Sequence, residues 1–521
     1  MDILTGSQLK DYCSNVISSR GIKHQRRQWK EIHDYCKKKN DGKLLSLYGL
    51  RRTGKSILML QEIERLNDYE HTALALCTPK DADKMDDFLD YIEDHPEKRY
   101  IFADEVTFCH DFLSTANILA DRYALAGQKI VLAGTDSLAF KIASEGILYD
   151  RTHLVHTTYV SYPEYHAIFK KGLDEYIEYG GTMTNGRQIY NQDDDLASLR
   201  AYSNTAIADN IEHTLQNWEM GSHYMHLQRV LDDGDLRNYI FENVQKFNRT
   251  FLYSTAAELF RSADLHTAAD FVRNNKNIPR EVRNFLKNPT LSANIQRVLG
   301  LKDTIVDKGQ KENDDATEQI KTYLNAMDII RVIPNRRDHR EDEVLFIQPG
   351  LRYCLFEEAK KELQKNDEFQ SYSPEIQKFI LTRMDENVKG HILEEIVYYQ
   401  MLTDEKIHQQ YMVDKYRDPL DREVDCLLID RDTRDILLFE VKHSKKRYEG
   451  QTRHITNQED VCHPIEERYH GKIVGKAVIY RGENAKAKKG VFYTHAENFL
   501  CRPKMELKKI TSHYKAYIQK P

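Results

Sequence analysis

Apolar and polar positions divide the chain into stretches of different period. From Lys43 onward, short apolar runs alternate with helical spacing: Leu44–Tyr48, Thr72–Cys77, Tyr100–Ala103 and Lys129–Ala133 read as strands, and Ser56–Leu66 reads as a helix. Strand–helix alternation of this kind predicts a parallel sheet with helices on its faces. Residues 1–43 are polar and helix-prone, with Arg20, Lys23, Arg26 and Arg27 ahead of a helical stretch around Gln28–Lys39. Beyond about residue 165 the strands stop, and residues 185–300 are polar and helical, broken by Gly221, Gly234 and Pro279. A helix at Ala316–Met327 then precedes Ile329–Ile333, a charged turn from Asn335 to Glu343, and Val344–Ile347. Helix, strand, charged wing and strand is the order of a winged helix. A polar helical linker, Glu357–Gln370, leads to Pro374, after which strands return.

A chain of 521 residues exceeds what one core supports. The predicted division is 1–42, a helical segment; 43–184, the parallel-sheet unit; 185–300, helical; 301–372, winged helix and linker; and 373–521, a second α/β unit. With 40% hydrophobic and 30% charged residues, the composition is that of an ordinary globular protein rather than a disordered one. Eight cysteines without a C-x-x-C pair argue against a zinc ribbon or a disulfide framework, and for free thiols in a reducing cytoplasm. Met1–Asn15 lacks a signal-peptide pattern, and no apolar run approaches the ~20 residues of a membrane span. The net charge of −6 is uneven: Glu440–Pro521 holds 18 Lys/Arg against 9 Asp/Glu, leaving −15 for the rest. A basic end on an acidic protein points to an anionic partner, nucleic acid above all, with a merely solvated basic surface as the alternative.

Gly49-Leu50-Arg51-Arg52-Thr53-Gly54-Lys55-Ser56 lies between a strand and a helix, where a G-x-x-x-x-G-K-[ST] loop cradles phosphates. Its glycines let backbone N–H groups turn inward, and the helix adds the positive end of its dipole. Lys55 is placed for the β- and γ-phosphates and Ser56 for Mg²⁺, so ATP with Mg²⁺ is the expected ligand. About fifty residues on, an apolar strand ends in Asp104-Glu105. Asp104 is placed to hold Mg²⁺ through water, and Glu105 to polarise the attacking water. The fourth strand ends in Gly134-Thr135-Asp136-Ser137. Thr135 or Asp136 either senses the γ-phosphate or caps the helix beginning near Ser137, and the two roles are compatible.

These three elements resemble a large group of bacterial and archaeal AAA-type ATPases. Members of that group continue into a winged helix and a C-terminal domain like the PD-(D/E)XK nucleases. The resemblance implies ATP hydrolysis, possible homo-oligomeric assembly, and a role for Arg151 as an arginine finger or γ-phosphate sensor. A plain surface arginine is the alternative. Where the group has Gly-Arg this chain has Asp150-Arg151, and Ser161-Tyr162-Pro163-Glu164 matches the group only loosely. The Tyr179-Gly180-Gly181 turn matches, whereas Thr182-Met183 departs from the Phe-Pro that usually follows.

Near the other end, Glu423–Ile429 and Ile436–Lys442 flank a polar turn. A hairpin centred on Asp432–Thr433 sets Asp425 opposite Glu440, with Cβ atoms roughly 5 Å apart. Alternation puts Asp425, Glu440 and Lys442 on one face, and Val424, Cys426, Leu428, Leu437, Phe439 and Val441 on an apolar back. Opposed carboxylates repel unless a cation separates them, and a hard divalent ion, Mg²⁺ or Mn²⁺, suits oxygen ligands. D-x(14)-E-x-K on paired strands resembles the PD-(D/E)XK core, which implies that the acids hold metal and the lysine serves the attacking water. The same resemblance selects Glu394, within Gly390-His391-Ile392-Leu393-Glu394-Glu395, as the acid on the preceding helix; a surface glutamate is the alternative. Lys445, Lys446, Arg447, Arg453, His454, Lys486, Lys488 and Lys489 form a basic skirt for a phosphodiester, DNA before RNA.

In the winged helix, Asp314, Asp315 and Glu318 outnumber Lys321 on the candidate recognition helix. Asp338, Glu341, Asp342 and Glu343 offset Arg336, Arg337 and Arg340 in the wing. Both a DNA contact and a domain spacer remain open. Two functions follow for the whole chain: an ATP-driven, metal-dependent nuclease, or a nucleotide switch whose nuclease-like domain binds without cutting. A purely protein-directed remodeller conflicts with the basic end.

Overall fold

A computed structural model of the chain describes residues 1–21, 24–39, 41–81, 84–109, 112–183, 203–216, 224–261, 315–333, 342–418, 420 and 422–519. The wing arginines Arg336, Arg337 and Arg340, with Asp338, Glu341 and Asp314, lie outside the described residues, as does most of 185–300. Among the described residues no helix is long and apolar enough to cross a membrane.

The first sheet has six strands: β1 (Asp2–Thr5), β2 (Leu44–Tyr48), β3 (Thr72–Leu76), β4 (Tyr100–Asp104), β5 (Lys129–Gly134) and β6 (Thr152–His156). Their order is β1-β3-β4-β5-β2-β6, with β2 to β6 parallel and β1 antiparallel at one edge. Four of the parallel strands match the apolar runs. The two flanking strands, β1 and β6, do not show as such runs, because edge strands expose half their residues: β6 buries only Val155 fully. Helices cover both faces. Leu45, Leu47, Phe102 and Val131 pack toward the Gly6–Arg20, Trp29–Lys37 and Lys55–Leu66 helices, and Ala103, Ile130 and Leu132 toward Met85–Asp94 and Phe112–Ile118.

The middle of the chain contributes a helix, Asp315–Ala326, and an antiparallel hairpin of β7 (Ile330–Ile333) and β8 (Glu343–Phe346). The expected linker is not a spacer. The helix Pro349–Lys365 forms its first part and buries Leu363, and Asp367–Gln370 buries Phe369; ahead of the linker the same long helix buries Leu351, Arg352, Cys354, Leu355 and Phe356. Arg352, 1% exposed, lies over the rings of Phe251 and Phe346 (3.9 and 4.7 Å) and grips Glu395.

The second sheet runs β13-β14-β12-β11-β10-β9, from β9 (Tyr411–Arg417), β10 (Glu423–Asp430), β11 (Asp435–Lys442), β12 (Lys472–Tyr480), β13 (Ala485–Lys486) and β14 (Val491–His495). β9, β10 and β11 are antiparallel neighbours, while β11, β12 and β14 are parallel. The expected single apolar back is corrected here: both faces are buried. Cys426, Leu428, Leu437, Phe439 and Val441 meet Leu393 and Val397 of the Pro374–Thr403 helix. Val424, Leu427, Ile429, Ile436 and Leu438 join Ile455, Val461 and Ile465 instead. Val424 leaves the face assigned to it because the register against β9 shifts between Val424 and Leu427.

The core under β10 and β11 does not stop at residue 373. Tyr162, Tyr165, Leu173, Tyr176 and Ile177, from the end of the first unit, belong to it. Glu497 Oε1 accepts the Leu173 N–H at 3.1 Å. The joint between units is therefore packed, and Arg352–Glu395 is its charged centre. Glu395→Ala strands the Arg352 guanidinium in this core and is expected to destabilise the chain by about 3–5 kcal/mol. Urea unfolding checks this; a loss below about 1 kcal/mol contradicts it.

Candidate functional site

Parallel strands bring their carboxyl ends to one edge, and the phosphate-loop residues gather there. The loop follows β2, Asp104 ends β4, and Thr135 follows β5, which lies between them. Gly49 (φ 145°) and Gly54 (φ 93°) take backbone conformations that side chains disfavour. A Cβ on Gly49 would fall 2.4 Å from Thr157 O and Oγ1, so only glycine lets the loop pass β6. Thr53 donates its hydroxyl to Leu50 O (2.8 Å) and pairs with the Thr157 hydroxyl (2.8 Å), fixing the loop's curl.

Lys55 is buried and curls back to donate to Gly49 O (2.8 Å) and Leu50 O (3.0 Å). Burial holds its pKa below the usual range, against the pull of Glu105 and Asp104. Burial, with Glu105 beside it, pushes Asp104 up to about 6, opposed by the hydrogen bond from Ser56 and by Lys55. Ser56 and Asp104, the expected Mg²⁺ pair, are thus in contact. Glu105 sits in the left-handed region (φ 56°), and its Oε2 is buried with no hydrogen-bond partner. Such strain and an orphaned oxygen next to Lys55 fit a group that waits for a ligand's water. Arg51 lies over the Phe108 ring at 5.8 Å, and Arg52 (φ 64°) gives its carbonyl to Met183 N–H (2.7 Å). The residues present therefore fit a nucleotide with Mg²⁺: Lys55 and the loop N–H groups for phosphates, Ser56 and Asp104 for the ion.

Two expected ligands are engaged by other partners. Asp136 caps the next helix through Ala139 N–H (2.9 Å) and takes the Thr214 hydroxyl (2.7 Å), so its carboxylate links the sheet to the Asp209–Gln216 helix. Arg151 precedes β6 at the amino edge of the sheet, bonded through its carbonyl to Leu44 N–H and through its side chain to Asp121 (2.6 Å). A five-residue strand, roughly 15 Å, separates it from the phosphate loop of its own chain. Within its own chain Arg151 therefore does not reach the phosphate loop, and this placement bears on the sensor role alone, not on a finger offered to a neighbouring copy.

Arg26, which belongs to no motif in the sequence, also meets the loop. It is 3% exposed and donates to Thr53 O (2.6 Å), Thr158 O (3.1 Å) and Tyr159 O (2.9 Å), while forking onto Glu164. It clamps the outside of the phosphate loop. One of four basic residues in a row of similar charge, it carried no distinguishing spacing.

At the second sheet, the register Cys426–Phe439 extends to place Asp425 beside Glu440. Val441 N–H donates to Asp425 Oδ2 (2.6 Å), and Lys442 Nζ bridges Asp425 (3.1 Å) and Glu440 (2.8 Å). The cation expected between the carboxylates is thus Lys442 itself. Burial drives Asp425 and Glu440 above the usual carboxylate range, with Lys442 opposing. Burial works against the charge on Lys442, but Asp425, Glu440 and Glu394 outweigh it and raise its pKa well above normal. Glu394 joins the cluster from the Pro374–Thr403 helix; burial would raise it, but His391 (3.0 Å) and Lys442 hold it low. Glu440 Oε1 is buried and lacks a hydrogen bond, with His454 Nδ1 at 3.8 Å. Among the described residues no group of three or more His, Cys, Asp or Glu side chains is arranged to hold a metal ion. The four acidic-site residues are together, but as an ion-pair cluster rather than a cage.

Comparison with known proteins bears on the first site. Residues 41–166 match the model of the AAA domain family. Nothing among curated proteins matches the chain. Among solved structures, the crystal structure of Cdc6p from Pyrobaculum aerophilum is similar at 12% identity, covering 67% of this chain and 98% of that one. The TM-score is 0.23. An AAA-type ATPase domain thus occupies the region around the phosphate loop, a class that binds and hydrolyses ATP, usually with Mg²⁺.

Lys55→Ala is expected to abolish ATP hydrolysis, because the phosphates lose their buried cation. Glu105→Gln should keep nucleotide bound while turnover falls by about 10²-fold or more, since only water activation is removed. Nucleotide retention on gel filtration and phosphate release measure the two; wild-type turnover in Glu105→Gln would remove it from the role of base.

Proposed function

We propose that the chain is an ATP-driven, DNA-directed enzyme in which nucleotide at the phosphate loop controls a nuclease-like acidic site. One observation supports this above others: segment 173–183 touches the phosphate loop and the elements that carry the acidic site. Met183 N–H bonds the Arg52 carbonyl in the phosphate loop, and Gly180 and Gly181 bond Gly350 and Val160. At the other end, the Leu173–Tyr179 helix opens with Asp174, which forks onto Arg481 and lies 3.3 Å from His443, the neighbour of Lys442. Glu178 on the same helix binds Lys389 (2.7 Å), five residues before Glu394 on its helix. The strand bearing Lys442 and the helix bearing Glu394 are thus tied to one element that also touches the loop.

In this reading, phosphates draw Lys55 off the Gly49 and Leu50 carbonyls, and the loop's adjustment moves Met183 and the helix behind it. Once Lys442 leaves its bridge, Asp425 and Glu440 would be the residues to hold a divalent ion, which would supply charge stabilisation at the phosphodiester; Lys442, still protonated, would orient the water whose attack on phosphorus breaks the P–O bond to the leaving sugar oxygen. The orphaned Glu440 Oε1 supports that assignment. The Lys442 bridge is the specific observation favouring a second reading, a nucleotide switch that binds DNA without cutting, since the ammonium already occupies the place between the carboxylates.

Nicking of supercoiled plasmid with Mg²⁺ or Mn²⁺ decides between them. Cutting that is lost in both Asp425→Asn and Lys442→Ala supports the nuclease; binding without nicking supports the switch. The coupling has its own test in Asp174→Ala. ATP turnover is expected to stay within about two-fold of wild type, since Asp174 touches no nucleotide group. Amide exchange at residues 440–446, expected to change with an ATP analogue in wild type, should no longer do so. Persistence of the change in Asp174→Ala contradicts the proposed route.

A further inference from the structure

Between Lys442 and His454 the chain leaves the acidic cluster and returns to it. Lys442 bridges Asp425 and Glu440, and His454 approaches Glu440 Oε1 at 3.8 Å while bonding Glu423 O at 2.8 Å. The intervening loop is the lip of that site, and it is held firmly. Ser444 Oγ bonds Lys446 at both its N–H (3.0 Å) and its carbonyl (2.8 Å). Gln451, 2% exposed, donates to Lys446 O (3.0 Å) and accepts from Tyr448 N–H (3.2 Å). Arg481 N–H bonds Ser444 O (3.1 Å), and the Tyr493 hydroxyl reaches Tyr448 O (3.5 Å).

What this pinned backbone presents outward is a run of cations around an aromatic ring. Lys445, Lys446 and Arg447 are exposed, and Tyr448 is 59% exposed. None of Lys445, Lys446, Arg447 or Arg453 is ion-paired to a described side chain, whereas Arg447 lies 6.0 Å over the Tyr493 ring. A flexible loop could fold such a ring away; this one holds it in water at a hydrophobic cost. Unpaired nucleic acid has the matching chemistry. Its phosphates answer the cations, and an unstacked base offers a flat face to the ring. Blunt duplex DNA keeps its bases stacked inside and offers only the phosphates.

We infer that the loop 444–453 receives a single-stranded stretch of DNA, with a base stacked on Tyr448 and the backbone along Lys445, Lys446, Arg447 and Arg453. The inference rests on the nucleic-acid reading of the C-terminal domain and narrows it: the substrate carries an unpaired segment next to the acidic cluster.

Binding by the full chain in EDTA, without cleavage, tests it. The probes are labelled single strands of about 16 nucleotides, the matching blunt duplex, and the duplex with a single-stranded tail. Wild type is expected to bind the strand and the tailed duplex more tightly than the blunt one. Tyr448→Ala should weaken the first two by roughly ten-fold and leave blunt duplex unchanged, with Tyr448→Phe restoring affinity. Lys445→Ala with Lys446→Ala should weaken all three and flatten the salt dependence. A Tyr448→Ala effect that is absent, or equal on all probes, overturns the stacking role while the nucleic-acid reading stands. Failure of wild type to bind any probe overturns both.

Discussion

Shared burial along the 160–183 segment is the constraint on which the arrangement depends. Val160, Tyr162, Tyr165, Tyr176 and Ile177 are part of one core with Leu393, Phe439 and Val441, yet the segment begins at the end of β6 and ends against the phosphate loop. Close-packed interiors have few alternative arrangements, so an element wedged between two sites shifts as a body rather than yielding locally. The capping box of Ser161 and Glu164 fixes the start of the first helix, and Glu164 at the same time receives Arg26. One carboxylate thereby orients both a helix entry and the clamp on the phosphate loop.

The two centres manage buried charge differently. At the phosphate loop, a buried lysine rests on backbone carbonyls and a glutamate is left with an orphaned oxygen, a state of high cost that phosphate and a divalent ion relieve. At the second sheet, the Lys442 ammonium already sits between Asp425 and Glu440 and offsets part of their charge, while Glu440 Oε1 keeps no hydrogen bond. Breaking either bridge would leave an uncompensated buried charge, which is strongly unfavourable. Any chemistry proposed for the second centre must therefore begin by moving Lys442, and its neighbour His443 is held by Asp174 from the first unit.

Local pattern determined much of this protein. The glycine-lysine-serine loop, the Asp104 strand end and the four most apolar strands follow from periodicity and from phosphate chemistry, because those signals are contained within a few consecutive residues. The Asp425–Glu440 juxtaposition was also legible, since a hairpin's turn fixes its own register. The Asp136 cap could be anticipated as one of two roles, for the same local reason.

Tertiary structure alone decided the rest. Arg26 became the clamp of the phosphate loop only because its partners lie between 27 and 138 residues away, a separation that no spacing encodes. Arg151 fell at the far edge of the sheet because strand length and direction, not sequence proximity to the motif, set which end a residue occupies. Val424 changed faces through a bulge against β9, and the supposed linker buries Leu363 and Phe369 in the core that also holds Phe439. Each case is non-local: sequence specifies which groups must be buried or paired, but only packing specifies against what.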